Sequence, residues 1–179
     1  MTRDDPYRIR DFVPDFDAIA AEIAAQSRAI ARRATMWSGS SYGAGPREKI
    51  DILLPPRLRS GAPLHMFVHG GYWMRNSREM FAVLGEGVAS HGWSVAMPGY
   101  TLAPDATLAE IVAECGAALD WLGSEGPAHG VAGPLIVSGW SAGGHLAAMA
   151  LSHEAVAAGL AISGIFELAP LADTYLNEK

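Results

Sequence analysis

Cysteine is almost missing: Cys115 stands alone, which excludes a disulfide framework and a cysteine-built zinc site. Charge is sparse as well. Asp, Glu, Lys and Arg make up 18% of the 179 residues, below the usual quarter, which favours a compact fold with a well-buried core. The charge present has the wrong sign for polyanions. A net charge of −6 disfavours nucleic acid or an anionic membrane as partner. No apolar run is long enough to span a bilayer. The polar start Met1-Thr2-Arg3-Asp4-Asp5-Pro6 lacks the apolar core of a signal peptide. With a single cysteine, this points to a cytoplasmic, reducing location. There is no internal repeat and no low-complexity tract. Neither H-E-x-x-H nor G-x-x-x-x-G-K-[ST] occurs, and no G-x-G-x-x-G follows a strand. A metal hydrolase and a nucleotide-binding domain thus lose their motifs, and no metal or cofactor is expected.

What is there is apolar: 50% of residues are hydrophobic, enough for one domain with a sizeable core. Residues 1–15 read as an extended arm, interrupted by Pro6 and Pro14. Asp15 or Asp17 caps a helix to about Thr35, with Ile19, Ile23 and Ile30 on one face. Residues 38–46 read as a Gly- and Ser-rich loop. Strands are expected over 49–54, 64–68, 93–97, 135–138 and 159–164, each a near-continuous apolar run. Between them lie a helix over 78–90 and another opened by Thr107 with Glu110 as its capping-box partner. The second helix carries an apolar stripe of Leu108, Ile111, Val112, Cys115, Leu119 and Leu122. Cys115 is therefore read as packing rather than as a reactive thiol. Strand–helix alternation with apolar strands predicts an α/β fold, a mostly parallel sheet with helices on both faces. The domain is read as single over 1–179, with an arm and helix over 1–37 and the core over 38–179.

One stretch carries chemistry: Leu135-Ile136-Val137-Ser138-Gly139-Trp140-Ser141-Ala142-Gly143-Gly144-His145-Leu146. A strand enters a G-x-S-x-G turn and leaves as a small-residue helix. That is the context of a nucleophile elbow, with Ser141 at its apex. Gly139 and Gly143 stand where a Cβ would block the close crossing of strand and helix. The N–H groups at the start of the helix are free to face developing negative charge. Acyl transfer also needs oxyanion donors. The N–H of Ala142 is one candidate, and the run His69-Gly70-Gly71-Tyr72-Trp73 after the second strand offers Gly70, Gly71 and Tyr72. Both runs, and the loop at Tyr100, fall at carboxyl ends of strands, where open α/β sheets place their sites.

These residues resemble a known family. His69-Gly70-Gly71-Tyr72-Trp73, Tyr100-Thr101-Leu102-Ala103-Pro104 and Gly139-Trp140-Ser141-Ala142-Gly143-Gly144-His145-Leu146 are similar to the α/β-hydrolase fold, in its esterase branch with an HGG oxyanion loop. The Trp of HGGYW resembles the HGG-x-W mark of the arylformamidase (kynurenine formamidase)-like group, as do residues 164–171 and Tyr175-Leu176-Asn177-Glu178. The resemblance runs from about residue 36 to the last residue. It implies that Ser141 attacks a small ester or an N-formyl aromatic amide, forming an acyl- or formyl-enzyme that water releases. It implies an aromatic-accepting pocket, for which Trp73, Tyr100 and Trp140 are the candidates. No cofactor is implied, the partner is the small-molecule substrate, and a homo-oligomer is left open.

The same resemblance exposes a gap. In this fold the acid and the His follow the nucleophile in the chain. After Ser141 only His145, His153, Glu154, Glu167, Asp173 and Glu178 remain. His145 and His153 lie roughly 6 and 18 Å along a helix leading away from the Ser, whereas a base must come within about 3 Å of Oγ. His69, Asp105 and Ser141 fall in chymotrypsin-like order, but the elbow belongs to another fold. His69 is read instead as holding the oxyanion loop by hydrogen bonds. The triad acid and His are thus not identifiable, and the C-terminal strands that carry them in the family are expected to be missing. Little turnover and a bare apolar edge on the last strand follow. The competing reading is a non-catalytic pseudoenzyme or a small-molecule binding module on the same fold.

Overall fold

The computed structural model describes residues 7–177. A short helix α1 (Ile9–Phe12) lies in what the sequence reads as an extended arm; Met1 to Pro6 of that arm lie outside the described residues. The long helix α2 (Phe16–Arg33) begins after Asp15, whose side chain makes no capping bond. Six strands follow: β1 (Met36–Ser41), β2 (Lys49–Leu53), β3 (Leu64–Val68), β4 (Ser94–Pro98), β5 (Leu135–Trp140) and β6 (Val156–Ile162). Between them run α3 (Ala82–Ser90), α4 (Leu108–Glu125) and α5 (Ala142–Ala150). Thr107 and Glu110 form the expected capping box of α4.

The sheet order is β1-β2-β4-β3-β5-β6. β3, β4, β5 and β6 pair parallel, while β1 and β2 join antiparallel at one side, so the sheet is mixed. β1 corrects the loop expected over 38–46. Its Gly- and Ser-rich residues carry no apolar periodicity, yet they pair with β2 across an irregularity between Trp37 and Ser40. β6 starts three residues earlier than expected, because its first residues are small and weakly apolar.

Both faces are covered, each by its own core. On one, α4 and α5 bring Ile111, Cys115, Leu119, Leu122 and Leu146 onto Ile52, Met66, Val68 and Val137. On the other, α2 and α3 bring Ile30, Ala82 and Ala89 onto Leu53, Phe67, Val95 and Met97. Adjacent residues such as Met66 and Phe67 serve opposite cores, which is why these strands read as continuous apolar runs. Cys115 is buried in the first core as expected, and burial pushes its thiol up to about 12. At the far side β6 pairs, among the described residues, only with β5 and is largely exposed, with Leu160 60% accessible and Phe166 beyond it 63%. No helix of the described residues is long and apolar enough to cross a membrane.

The connectivity sets the site. From β3 the chain crosses through α3 to β4 on one side. It then crosses back through α4 to β5 on the other. The strand order therefore reverses at β3, and the chain leaves β3 toward one face and β5 toward the opposite face. Such a switch opens a crevice at the strands' carboxyl ends.

Candidate active site

The β3–β5 register pairs Val68 with Gly139. The next residues of each strand, His69-Gly70 and Trp140-Ser141, must then lie side by side. They do: a Cβ added to Gly70 would meet Ser141 Cβ at 3.2 Å and collide with the Trp140 carbonyl. Only glycine allows this approach.

Ser141 is half-buried and sits at φ 58°, ψ −120°, a conformation costly for a residue with a side chain. Its surroundings hold it there. Its N–H donates to Ile162 O at 2.8 Å, and its carbonyl accepts from Gly144 N at 2.8 Å and His145 N at 3.2 Å. β6 therefore supports the elbow directly. The Cβ argument for the two elbow glycines holds: at Gly143 a Cβ would lie 2.6 Å from His69 O, and at Gly139 it would be 2.9 Å from Gly144 N.

Across the crevice, Gly71 (φ 124°), Tyr72 (φ 50°) and Trp73 (φ 58°) run in succession at positive φ. Three such residues make a tight, strained bend, closed by Met74 N donating to Gly71 O at 3.0 Å. Among the described residues, neither Gly71 N–H nor Ala142 N–H donates to a protein acceptor. The Ala142 amide follows Ser141 at the start of α5, and the Gly71 amide follows Gly70, the residue that packs against Ser141.

His69 is 1% exposed, its ring stacked on Tyr100 at 4.3 Å. Its Nδ1 lies 2.9 Å from Gly70 O, which can only accept, so Nδ1 carries the proton. Burial pulls this ring down to about 4 from 6.5. Burial also lowers His65 and His145. The folded protein resists protonating these rings, and holds His69 neutral down to about 4, while an unfolded chain protonates them below 6.5. The unfolded state therefore binds more protons between pH 6.5 and 4, and stability falls as pH drops through that window. The urea midpoint at pH 4.5 is expected to lie well below that at pH 7, and little change is expected between pH 7 and 8. A flat profile from 7 to 4.5 contradicts the neutral buried rings.

The three aromatic pocket candidates part ways. Tyr100 is fully buried and does not line the cavity that Trp73 walls. Its ring packs under the HGG loop and its hydroxyl donates to His69 O at 2.9 Å, the partner a buried phenol needs. Trp140 is 40% exposed and packs edge-on to Phe81, outside the cavity walls. Strand parity explains it: Val137 faces the α4/α5 core, so Trp140, three residues on, faces the other side. Trp73 alone does both things, joining the core and walling a cavity of about 270 Å³. Tyr72, Leu108, Leu168, Leu171 and Leu176 share those walls. The last three come from the turns Ala169–Asp173 and Tyr175–Asn177 or just before them, a contribution the sequence does not signal. Among the described residues, the walls hold no charged side chain.

No hydrogen bond joins Ser141 Oγ to any histidine or carboxylate among the described residues. His65 pairs with Ser138 Oγ at 2.7 Å, His153 with Asp120 at 3.1 Å, and His145 packs its ring against Trp73 at 5.3 Å. His129 packs tilted against Trp37 at 4.2 Å, and His91 follows the last residue of α3. No group of three or more potential metal-ligating residues occurs among the described residues.

This arrangement has relatives. The BD-FAE family model matches residues 50–161. Kynurenine formamidase of Salmo salar is 30% identical over 145 residues, which is 76% of this chain and 48% of that protein. Isoprenylcysteine alpha-carbonyl methylesterase of Arabidopsis thaliana is 30% identical over 115 residues, 64% of this chain and 27% of that protein. The chain thus spans about half the length of the formamidase it matches, and less of the methylesterase. A solved structure from Silicibacter sp. tm1040 superimposes with a TM-score of 0.87 at 33% identity, covering 100% of this chain and 70% of that one. From the matched residues, the glycine loop beside the serine turn and the mixed sheet beneath them, the chain belongs to the BD-FAE family, in the HGG-type esterase and arylformamidase-like group of α/β-hydrolases.

Proposed function

We propose that this site is that of a serine hydrolase, with Ser141 as nucleophile, acting on a small ester or an N-formyl aromatic amide. The observation that carries the reading is the pairing of a serine on a strained strand-to-helix turn with free amides of Gly71 and Ala142 across the β3–β5 crevice. Ser141 Oγ would bond to the substrate carbonyl carbon and give up its proton to solvent water, while the carbonyl oxygen takes negative charge facing the two amides, with Gly70 and Tyr72 completing the loop. The bond to the leaving alcohol or amine then breaks and that group takes a proton. Water adds to the acyl- or formyl-enzyme and releases the acid. Tyr72 is shared between this loop and the cavity, whose described walls are mostly apolar, which suits an apolar or aromatic substrate portion.

The relatives support both substrate classes: one is a formamidase and the other a methylesterase. One observation favours a non-catalytic binding role for these residues alone: among the described residues, no base is hydrogen-bonded to Ser141. Turnover by the 179-residue chain is therefore expected to fall on the order of 10⁶-fold below that of a complete triad, though above buffer. p-Nitrophenyl acetate and N-formylkynurenine, assayed with the purified chain, check this. Hydrolysis of either at a complete enzyme's rate overturns the missing-base reading, and no hydrolysis of either above buffer favours the binding role.

A further inference from the structure

The Gly70–Gly71 peptide is clamped from behind. Gly70 O accepts from two side chains at once, His69 Nδ1 at 2.9 Å and Asn76 Nδ2 at 3.1 Å. A peptide is planar and trans, so its C=O and N–H point in opposite directions. Whatever holds the Gly70 carbonyl therefore aims the Gly71 N–H the other way, where it meets no protein acceptor among the described residues.

Asn76 is itself held. It sits at φ 72°, a left-handed conformation that Asn tolerates better than most residues. Its carbonyl accepts from Arg47 Nη2 at 2.7 Å. Arg47 Nε also donates to Tyr100 O at 2.8 Å, and Tyr100 Oη donates to His69 O at 2.9 Å. The circuit closes: Arg47 to Asn76, Asn76 to Gly70, His69 to Gly70, Tyr100 to His69, Arg47 to Tyr100. Three segments distant in sequence, the β1–β2 turn, the loop after β3 and the loop after β4, are tied into one ring of hydrogen bonds behind the candidate oxyanion amides.

We propose that Asn76 is a positioning residue, braced by Arg47, which with His69 fixes the Gly70–Gly71 peptide so that the Gly71 N–H is presented to the oxyanion. The inference rests on Ser141 being the nucleophile. Asn76 acts through the peptide and touches no substrate.

Two variants of the full 179-residue chain test it. Asn76→Asp keeps size and left-handed tolerance but replaces the donor by an acceptor. Asn76→Gly keeps the backbone conformation and deletes the side chain. The readouts are the ¹³C shift of the Gly70 carbonyl and the kinetics with which a fluorophosphonate labels Ser141, followed by intact mass. Both variants are expected to shift the carbonyl resonance and to lower the maximal labelling rate roughly 100-fold, with the half-saturating probe concentration little changed. A merely structural role would not split the two kinetic constants. Wild-type labelling rates in both variants overturn the inference and leave the nucleophile standing. If the wild-type chain is not labelled, the nucleophile reading fails instead. The carbonyl shift then decides alone: unmoved in both variants it overturns the clamp, and moved it supports it.

Discussion

Ser141→Ala is expected to abolish stoichiometric labelling by a fluorophosphonate and to bring ester hydrolysis down to the buffer rate. In labelling, the Oγ–P bond forms, the P–F bond breaks, fluoride leaves and the hydroxyl proton passes to solvent. Among the described residues no base is hydrogen-bonded to Ser141, so this is slow. Preorganised donors and binding nonetheless retain roughly 10³–10⁴ of acceleration when a triad member is missing, enough for one adduct per chain over hours. Ser138, the nearest serine upstream, is buried with its hydroxyl against His65, and it offers no competing nucleophile to the probe. Peptide mapping of the adduct settles the site. Equal labelling of the Ala variant sinks the proposed mechanism.

Gly143→Ala is expected to be the most damaging of the small substitutions. The new methyl would collide with Val68 O and lie 2.6 and 2.8 Å from His69 O and C. These are backbone atoms of the last residue of β3 and the residue after it, and they cannot rotate aside. Either α5 lifts off the sheet or the β3 end bends, for a cost of roughly 3 kcal/mol or more. In a chain of this size the melting temperature would fall by roughly 6–12 °C. Gly116→Ala is the control. It lies inside α4, and a Cβ there meets nothing within 4 Å. Gly to Ala in an open helix interior stabilises by about 0.5–1 kcal/mol. Two identical chemical changes are thus expected to move stability in opposite directions, which thermal unfolding by circular dichroism checks. A Gly143→Ala melt matching wild type would refute the close crossing on which the elbow depends.

Much of the site was legible in one dimension because its parts are local. G-x-S-x-G and HGG work through the backbone of a few consecutive residues, so their glycines and serine must be contiguous. The helix capped by Thr107 was legible for the same reason. β1 was not. Its pairing with β2 comes from a neighbouring strand rather than from its own Gly- and Ser-rich composition. Asn76 had a faint signal, an Asn shortly after the glycine loop where a left-handed turn is needed. Arg47 had none, since its partners lie far along the chain.

The chain's order of residues thus determined by itself that a serine would be lifted on a strained turn and that a glycine pair would end another strand, because both are matters of local backbone sterics. Only tertiary structure decided that these two turns face each other. The β3–β5 register of Val68 on Gly139 sets that, and register follows from packing across the whole sheet. Tertiary structure also sent Tyr100 under the loop, Trp140 to the opposite face and Trp73 into the cavity wall. An aromatic residue is equally apolar in a core and in a pocket, and only the side of the sheet it emerges from tells them apart.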